Sequence, residues 1–235
     1  MGRMFEKRKH RMFARFDKMA KAFTRIGKEI SIAVKLGGPD PDGNPRLRAA
    51  IRNAKINNMP KDRVEAAIKK ASGKDAADLN EITYEGYGPH GIAILVETAT
   101  DNPNRTVANV RSHFGKGGGQ LGNAGSVAFM FDRKGVFKKE VGDADPEELE
   151  MQFIEFGADD IEIEDGVLTA YTSFEGYAQM QAALEENNIE VTHAELEQIP
   201  QTTVELNDEQ MEDLDKLLAR LEEDDDVQSV FHNIG

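Results

Sequence analysis

The stretch 160–172, DIEIEDGVLTAYT, decides the fold of the second half of this chain. Apolar and polar residues alternate along it, and this period of two predicts a pair of short strands, 160–164 and 167–172. The segments on either side of this pair have helical patterns, which predict helices at 146–156 and at 174–187.

Beyond each helix the sequence predicts one more strand, at 136–140 and at 189–196. The order of the six elements is then βαββαβ, which is the split arrangement of ferredoxin-like domains. We therefore predict that residues 134–198, which are rich in Asp and Glu, form an acidic ferredoxin-like domain.

Pieces of a second α/β domain lie on both sides of this segment. Before it, the sequence predicts strands at 82–87 and 92–98, a helix at 105–114 and a strand at 126–131. The first two strands are joined through Gly-Pro-His-Gly, which predicts a hairpin.

After the acidic segment, the sequence predicts a strand near Thr203, a helix at 208–221 and a strand at 227–231. These pieces most economically complete the sheet that begins before the insertion. We therefore predict one discontinuous α/β domain, formed by residues 81–133 plus 199–235.

The start of the chain has the three-to-four spacing of apolar residues that predicts helices. We expect one helix at 12–34, a loop at 37–43, a second helix to about Asn57 capped by Asn44, and a third from Pro60. Residues 1–78 are the predicted basic helical domain. The predicted fold class is α+β with three domains: this helical unit, the discontinuous α/β domain and the inserted ferredoxin-like domain.

Charge is divided unevenly along the chain. Residues 1–74 carry 20 Lys+Arg against 7 Asp+Glu, net +13, whereas residues 75–235 carry 9 against 36, net −27. The overall net charge of −14 therefore hides a basic module. Such a module is typical of domains that bind polyanions, so we predict nucleic acid, either duplex DNA or ribosomal RNA, as the partner of residues 1–72.

Between Lys7 and Lys28, nine cations stand against one carboxylate, Asp17. A solvated helix face usually mixes both signs, so this pattern favours contacts to phosphates. The candidate nucleic-acid-binding residues are Arg3, Lys7, Arg8, Lys9, Arg11, Arg15, Lys18, Lys21, Arg25, Lys28, Arg46, Arg48, Arg52, Lys55, Arg105, Arg111 and Lys116.

Composition limits the class of protein. No run of about 18 apolar residues is present, which argues against a membrane-spanning helix and a membrane partner. The absence of cysteine fits a reducing compartment, so we expect a cytoplasmic protein. The Arg-rich, acid-poor start MGRMFEKRKHRMFARF is also typical of mitochondrial presequences, although the basic character continues without a break to Lys70.

Residues 117–122, GGGQLG, match the dinucleotide-binding pattern GxGxxG in letters. That pattern requires a strand before it and a helix after it, and here the predicted order is the reverse. Three interpretations remain open: a tight turn, a nucleotide site, and a loop whose amides hold a backbone phosphate beside Arg111 and Lys116.

Signals for a metal site or for catalysis are weak. The histidines lie at positions 10, 90, 113, 193 and 232, without a close pair. Zinc requires three or four convergent ligands, so we expect no metal and no cofactor. A nucleophile elbow and an aromatic-framed carboxylate pair are also absent, and we expect a protein that is not an enzyme.

A series of short motifs follows in order along the chain. They are Gly27-Lys28-Glu29-Ile30, Asn44-Pro45-Arg46-Leu47-Arg48-Ala49-Ala50-Ile51, Asn58-Met59-Pro60-Lys61-Asp62, Tyr84-Glu85-Gly86-Tyr87-Gly88-Pro89, Asn104-Arg105-Thr106, Asn109-Val110-Arg111, Gly118-Gly119, Leu121-Gly122, Gly125-Ser126-Val127 and Phe131-Asp132-Arg133-Lys134-Gly135. Together they resemble the YebC-like family. The likeness extends nearly from end to end.

This resemblance implies a cytoplasmic bacterial protein of three domains: a helical one, a discontinuous α/β one and a ferredoxin-like one. It also implies control of gene expression, because some members are described as DNA-binding transcriptional regulators and others, including mitochondrial relatives, as translation activators at the ribosome. Many relatives begin Met-Ala-Gly-His-Ser-Lys-Trp. This chain has no Trp and begins Met1-Gly2-Arg3, like the branch that starts Met-Gly-Arg.

We therefore expect a non-enzymatic, nucleic-acid-binding regulator, with transcriptional regulation through DNA as the first expectation. The alternative is a ribosome-associated translation factor that binds RNA. The acidic domains are expected to orient the basic module, to mask it, or to bind a basic protein partner. The oligomeric state is not predictable from these patterns.

Overall fold

The structure is a computed structural model that describes residues 2–73 and 76–235, with side chains from residue 18 onward. It divides into two compact units, residues 1–80 with 99–101 and residues 81–98 with 102–235. The helices are α1 (Gly2–Gly37), α2 (Pro45–Ile56), α3 (Lys61–Ala71), α4 (Pro103–Lys116), α5 (Pro146–Glu155), α6 (Tyr177–Glu186) and α7 (Asp208–Glu222).

The strands form two four-stranded sheets. They are β1 (Asn80–Tyr87), β2 (Ala93–Thr100), β3 (Gln120–Leu121), β4 (Phe131–Glu140), β5 (Asp160–Glu164), β6 (Val167–Ser173), β7 (His193–Pro200) and β8 (Val227–His232). The first sheet has the order β3-β1-β2-β8 and the second has the order β5-β6-β4-β7. The predicted α+β fold with three domains is confirmed.

The first unit contains α1, α2 and α3 around one small core. Its buried residues are Ile26, Ile30, Ala33, Val34, Leu47, Ala50, Ala54 and Val64. Helix α1 begins ten residues before the predicted start at Met12. Residues 3–11 are mostly good helix formers and contain no proline or glycine, so nothing in them interrupts the helix.

Asn44 joins the end of α1 to the start of α2. Its side-chain oxygen accepts a hydrogen bond from the Leu47 N–H (3.0 Å), as the predicted N-cap requires. Its side-chain nitrogen donates to the carbonyls of Ala33 (2.7 Å) and Gly38 (2.8 Å). Because the side chain is buried and bonded on both sides, it fixes the turn between the two helices.

In the first sheet, the last strand of the chain pairs with one of the earliest. Strand β8 is antiparallel to β2, with Leu95 opposite Phe231. Helices α4 and α7 cover one face through a core of Ile92, Ile94, Val96, Val110, Phe114, Leu214, Leu217, Leu221 and Val227. On the other face, Ala93 and Leu95 pack against Val127 and Phe131, so β2 is buried from both sides.

The second sheet has the predicted βαββαβ connectivity. Strand β4 lies between β6 and β7 and is antiparallel to both. Strand β5 has the predicted bounds, and α5 ends one residue before the predicted end. Strand β7 starts four residues later than predicted, because the Ile189 N–H donates to the Leu184 carbonyl and so belongs to the turn that ends α6.

Two predicted strands are wrong. Residues 126–130 form a loop and a 3₁₀ turn, Ala128–Met130, because the N–H groups of Val127 and Ala128 donate to the Glu85 carboxylate; of the predicted strand, Phe131 alone lies in a strand, as the first residue of β4. Near Thr203 the structure has only an isolated bridge, between Val204 and Ile234.

Two strands of the second sheet extend past the predicted limits of the ferredoxin-like domain, 134–198. Strand β4 starts before it, at Phe131, and strand β7 ends after it, at Pro200. The exact domain limits stay a prediction. Within the described residues, no helix combines the length and hydropathy needed to cross a membrane.

Candidate nucleic-acid interface

The predicted cations of α1 fall into two groups. Arg3, Lys7, Arg8, Lys9, Arg11 and Arg15 lie outside the residues whose side chains are described. Lys18, Lys21 and Arg25 recur at three and four residues, which places them on one side of the helix, away from the core residues Ile26 and Ile30. Lys18 is exposed, the other two are half-buried, and Arg25 also has a hydrogen-bonding or electrostatic partner in the structure. We call these three residues the basic face of α1.

Three other predicted contacts have partners inside the first unit. The Lys28 ammonium donates to the Ala99 carbonyl at 2.7 Å. Arg46 donates two hydrogen bonds to the Glu29 carboxylate, at 2.9 and 3.3 Å. Arg48 Nη1 donates to two carbonyls of the loop after α1, at 2.8 and 2.7 Å. These contacts stabilise the helical unit, so we leave the three residues out of the proposed interface.

On α2, Arg52 and Lys55 are one helical turn apart. Arg52 is half-buried and Lys55 is exposed. Both also have electrostatic or hydrogen-bonding partners in the structure. Their place in an interface stays a prediction.

Arg105 at the start of α4 forms an ion pair with a buried carboxylate, although the Arg105 side chain itself is exposed. Its Nη2 donates to Asp226 Oδ2 at 2.7 Å, and the Thr106 hydroxyl donates to the same oxygen at 2.9 Å. Asp226 is 6% exposed, so its charge needs these partners. Arg105 therefore has a structural role, and the acidic run at 222–226 contains a buried anchor, Asp226.

Arg111 and Lys116 also lie on α4, and both side chains are exposed. The buried residues of this helix, Thr106, Val110 and Phe114, face the first sheet. Arg111 and Lys116 are therefore directed away from the core and remain candidates for phosphate contacts.

The glycine-rich segment after α4 is a tight turn. Its backbone N–H groups are already used: Gly117 and Gly119 donate to α4 carbonyls, and Gly122 donates to the Glu85 carbonyl. An added Cβ would lie 2.7 Å from Leu217 at Gly117 and 2.6 Å from the Tyr87 carbonyl at Gly119. Close packing explains these glycines, and the amides named here are not available to a phosphate.

Glu85 is a buried side chain that sequence reasoning missed. It is 7% exposed, and its carboxylate accepts hydrogen bonds from the N–H groups of Gly125 (2.6 Å), Val127 (2.8 Å) and Ala128 (2.8 Å). Burial raises the pKa of this carboxyl, but the backbone hydrogen bonds outweigh burial and lower the pKa below its usual value. The carboxylate is therefore the fixed centre of a loop, residues 123–130, which we call the Glu85 loop.

Two aromatic side chains are exposed at the Glu85 loop. Phe129 on its 3₁₀ turn is 69% exposed, and Tyr87 at the end of β1 is 40% exposed. The Tyr87 hydroxyl donates to the Ser126 carbonyl at 3.1 Å, which ties β1 to the loop. The motifs that contain Glu85 and Ser126 are both visible in the sequence, but nothing in either one indicates that they meet.

The open face of the second sheet is not suited to nucleic acid. Its one tyrosine, Tyr171, donates to the Glu162 carboxylate at 3.2 Å. Burial, followed by the charges of Glu162 and Glu197, raises the Tyr171 pKa to about 12. A base stacked on this ring would bring its phosphate close to those carboxylates, which would repel it.

Within the described residues, no cluster of three or more His, Asp or Glu side chains has the arrangement of metal ligands.

Comparison with known proteins places the chain in a family. A family profile described as the TACO1/YebC protein N-terminal domain matches residues 3–74, and one described as the TACO1/YebC second and third domain matches residues 79–234. The chain belongs to the TACO1/YebC family. The first profile ends at residue 74 and the second begins at residue 79, so both limits fall within the segment between α3 and β1.

Relatives in this family are similar over their whole length. A probable transcriptional regulatory protein of Cytophaga hutchinsonii is 56% identical and is matched over 100% of this chain and 99% of its own. One from Anaeromyxobacter dehalogenans is 53% identical over 100% of both chains. The crystal structure of a conserved hypothetical protein from Aquifex aeolicus superposes with a TM-score of 0.83 at 40% identity, covering 92% of this chain and 90% of that one.

Proposed function

We propose that this TACO1/YebC-family chain is a non-enzymatic regulator of gene expression that binds DNA, and that the basic face of α1 contacts the phosphates. The relatives named as probable transcriptional regulatory proteins support the regulatory role. The single observation that carries the binding proposal is the alignment of Lys18, Lys21 and Arg25 on the side of α1 away from its core.

The charge distribution supports the same site. The first 74 residues have a net charge of +13, and the basic face of α1 lies within them. The basic face of α1 is therefore a region of positive potential on a small domain, and such a region attracts a polyanion at long range. Removing counterions from DNA supplies most of the affinity of contacts of this kind.

The remaining 161 residues carry a net charge of −27, which repels nucleic acid. Binding in the correct orientation therefore places the basic unit toward the phosphates and the acidic residues away from them. A basic protein partner is the second possible role for the acidic surface, and it is compatible with the first.

The test is a competition of the full-length protein between ribosomes and excess duplex DNA in cell lysate, with sedimentation at several salt concentrations. Sequence-selective retention on DNA near physiological salt supports the proposal. Retention on ribosomes with loss of DNA overturns it and makes the protein a translation factor that binds RNA.

Enzymatic activity is tested on the same preparation. Turnover of nucleotides or of nucleic-acid strands by the purified protein would contradict the non-enzymatic part of the proposal. A variant with Arg105→Gln is not suitable for these assays, because Arg105 holds the buried Asp226.

A further inference from the structure

We propose that the Glu85 loop is a stacking platform for an unpaired nucleobase, with the ring of Phe129 as the stacking surface. The inference rests on the proposed function and deepens it, because it adds a contact to a nucleobase to the proposed contacts to phosphates. The occupant is a single-stranded segment of nucleic acid, of either DNA or RNA.

The first argument is the rigidity of the loop that carries Phe129. Glu85 accepts hydrogen bonds from the N–H groups of three residues between 125 and 128, and Tyr87 binds the Ser126 carbonyl. Val127 is fully buried against the first sheet. A phenyl ring on so fixed a turn loses little conformational entropy when a base stacks on it.

The second argument is the exposure of the ring. Phe129 is 69% exposed although its neighbours Val127 and Phe131 are buried in the core. The fold does not need the Phe129 side chain for packing. Every base presents a flat π-face, so an exposed ring on a fixed turn meets the main requirement of a sequence-tolerant base contact.

The third argument is the charge of the surrounding chain. Residues 102–131 contain no Asp or Glu, although the chain has 43 of them in 235 residues. The charged residues in this stretch are Arg105, which is paired, and the exposed Arg111 and Lys116. Gln120 and Asn123, the first residue of the loop, are also exposed and uncharged. A phosphate backbone therefore meets no carboxylate of this segment.

The same charge argument selects nucleic acid over a protein partner. The other large exposed apolar side chains of the second unit include Met151, Ile154 and Ile163, which lie in the acidic ferredoxin-like segment next to several glutamates. A basic protein would be attracted there. It would gain little such attraction at the Glu85 loop, whose own residues 123–130 include no Asp or Glu and whose bound carboxylate, Glu85, is buried.

The test uses the absence of tryptophan from this chain. In a Phe129→Trp variant of the full-length protein, the introduced residue is the only tryptophan, so the tryptophan fluorescence reports on position 129 alone. Titration with a mixed-sequence single strand of about 16 nucleotides should quench the emission at least about two-fold, because a stacked base quenches indole fluorescence. A duplex of the same sequence should bind without comparable quenching, since its bases are stacked on one another.

The matched control is Phe174→Trp, which replaces another exposed phenylalanine (48%) in the acidic segment, under the Arg133 guanidinium. This variant should bind the strand equally and show no quenching. Equal quenching in both variants would overturn the proposal, since it would arise from non-specific contact. Parallel titrations with single-stranded DNA and single-stranded RNA of the same sequence show which of the two nucleic acids binds more tightly.

Two further variants test the ring itself. Phe129→Ala and Phe129→Leu should each weaken binding of the single strand about ten-fold at fixed salt. Neither should change the melting temperature, because the side chain is exposed. If Phe129→Leu retained full affinity, the contact would be simple apolar insertion and the stacking proposal would be wrong.

The outcomes separate this proposal from the proposed function. Strand binding without quenching in Phe129→Trp overturns the stacking platform and leaves the phosphate contacts of α1 intact. Absence of any nucleic-acid binding at low salt overturns both.

Discussion

Glu85 shows how one buried carboxylate organises a loop. Burial alone disfavours its charge, yet hydrogen bonds from the backbone N–H groups of residues 125–128 lower its pKa. The same hydrogen bonds keep these groups out of a strand, which explains why the strand predicted at 126–131 is wrong for residues 126–130.

We expect Glu85→Gln to lower the free energy of unfolding by about 2–3 kcal/mol, because a neutral amide replaces a charged acceptor and brings an N–H₂ group toward backbone donors. Urea denaturation measures this change. The control is Glu205→Gln, an exposed glutamate of the same unit, which should have almost no effect. Equal stability of both variants would show that the Glu85 contacts contribute nothing.

The stabilisation from Glu85 should also depend on pH. Its pKa is lowered in the folded state, so its contribution is fully present above the usual carboxyl range, near 4.5, and is lost as the pH falls through the lowered folded value. The difference in unfolding free energy between the native protein and Glu85→Gln should therefore shrink on acidification from neutral pH. A difference that grows with acid would contradict the assignment.

Arg105 and Arg111 are on the same helix, and we expect opposite consequences of their replacement. Arg105→Gln should lower the unfolding free energy by about 1–2 kcal/mol, because the buried Asp226 carboxylate loses a charged donor but keeps the Thr106 hydroxyl. Arg111→Gln should leave stability unchanged and weaken binding to nucleic acid. Thermal melts and binding titrations on both variants measure the two effects, and a binding defect in a stable Arg105→Gln protein would contradict the structural role.

At the scale of elements, the turn between α4 and β3 depends on the absence of side chains. We expect Gly119→Ala to lower the unfolding free energy by about 2–3 kcal/mol, since its Cβ would lie 2.6 Å from the Tyr87 carbonyl oxygen and the backbone would have to move. Urea denaturation gives the change directly.

Gly115→Ala is the matched control for this prediction. Gly115 lies on α4, and an added Cβ there meets no atom within 4 Å. Alanine is also the better helix former, so this variant should gain up to about 1 kcal/mol of stability. If both variants changed stability in the same direction, the close approach at Gly119 would not be the cause.

At the scale of the whole molecule, the division of charge predicts how binding responds to salt. The logarithm of the affinity for duplex DNA should fall linearly with the logarithm of salt concentration, with a slope of about −0.9 for each phosphate neutralised. A variant with Lys18→Glu and Lys21→Glu removes two of the proposed contacts. Its slope should therefore be shallower by about 1.8, as measured by anisotropy titrations.

The control for this measurement changes the net charge equally at another helix of the same unit. Lys69→Glu with Lys70→Glu alters two exposed residues of α3. It should weaken binding slightly and leave the slope nearly unchanged. Equal slopes for the two double variants would show that binding depends on net charge alone and not on the basic face of α1.

Local sequence patterns predicted most of the elements. The alternation of apolar and polar residues predicted β5 and β6, and Asn44 was predicted correctly as the N-cap of α2. The resemblance and the element order together predicted a discontinuous domain, which β8 confirms by pairing with β2. These successes have a common reason: periodicity and capping depend on residues a few positions apart.

The candidate site was predicted less completely. Several cations that the sequence offers for phosphate contacts have partners in the folded chain, among them Arg46 with Glu29 and Arg105 with Asp226. The second pair joins residues 121 positions apart. No local pattern indicates such a pairing, because it depends on how helices and strands pack.

The sequence alone therefore determined the helical and strand patterns, the split between a basic and an acidic part, and the family likeness. Tertiary structure decided which charges remain available, that the glycine-rich turn uses its amides internally, and that Glu85 holds the loop that exposes Phe129. The physical reason is that charge is a property of each residue, whereas exposure and hydrogen-bond partners are properties of residues brought together by packing.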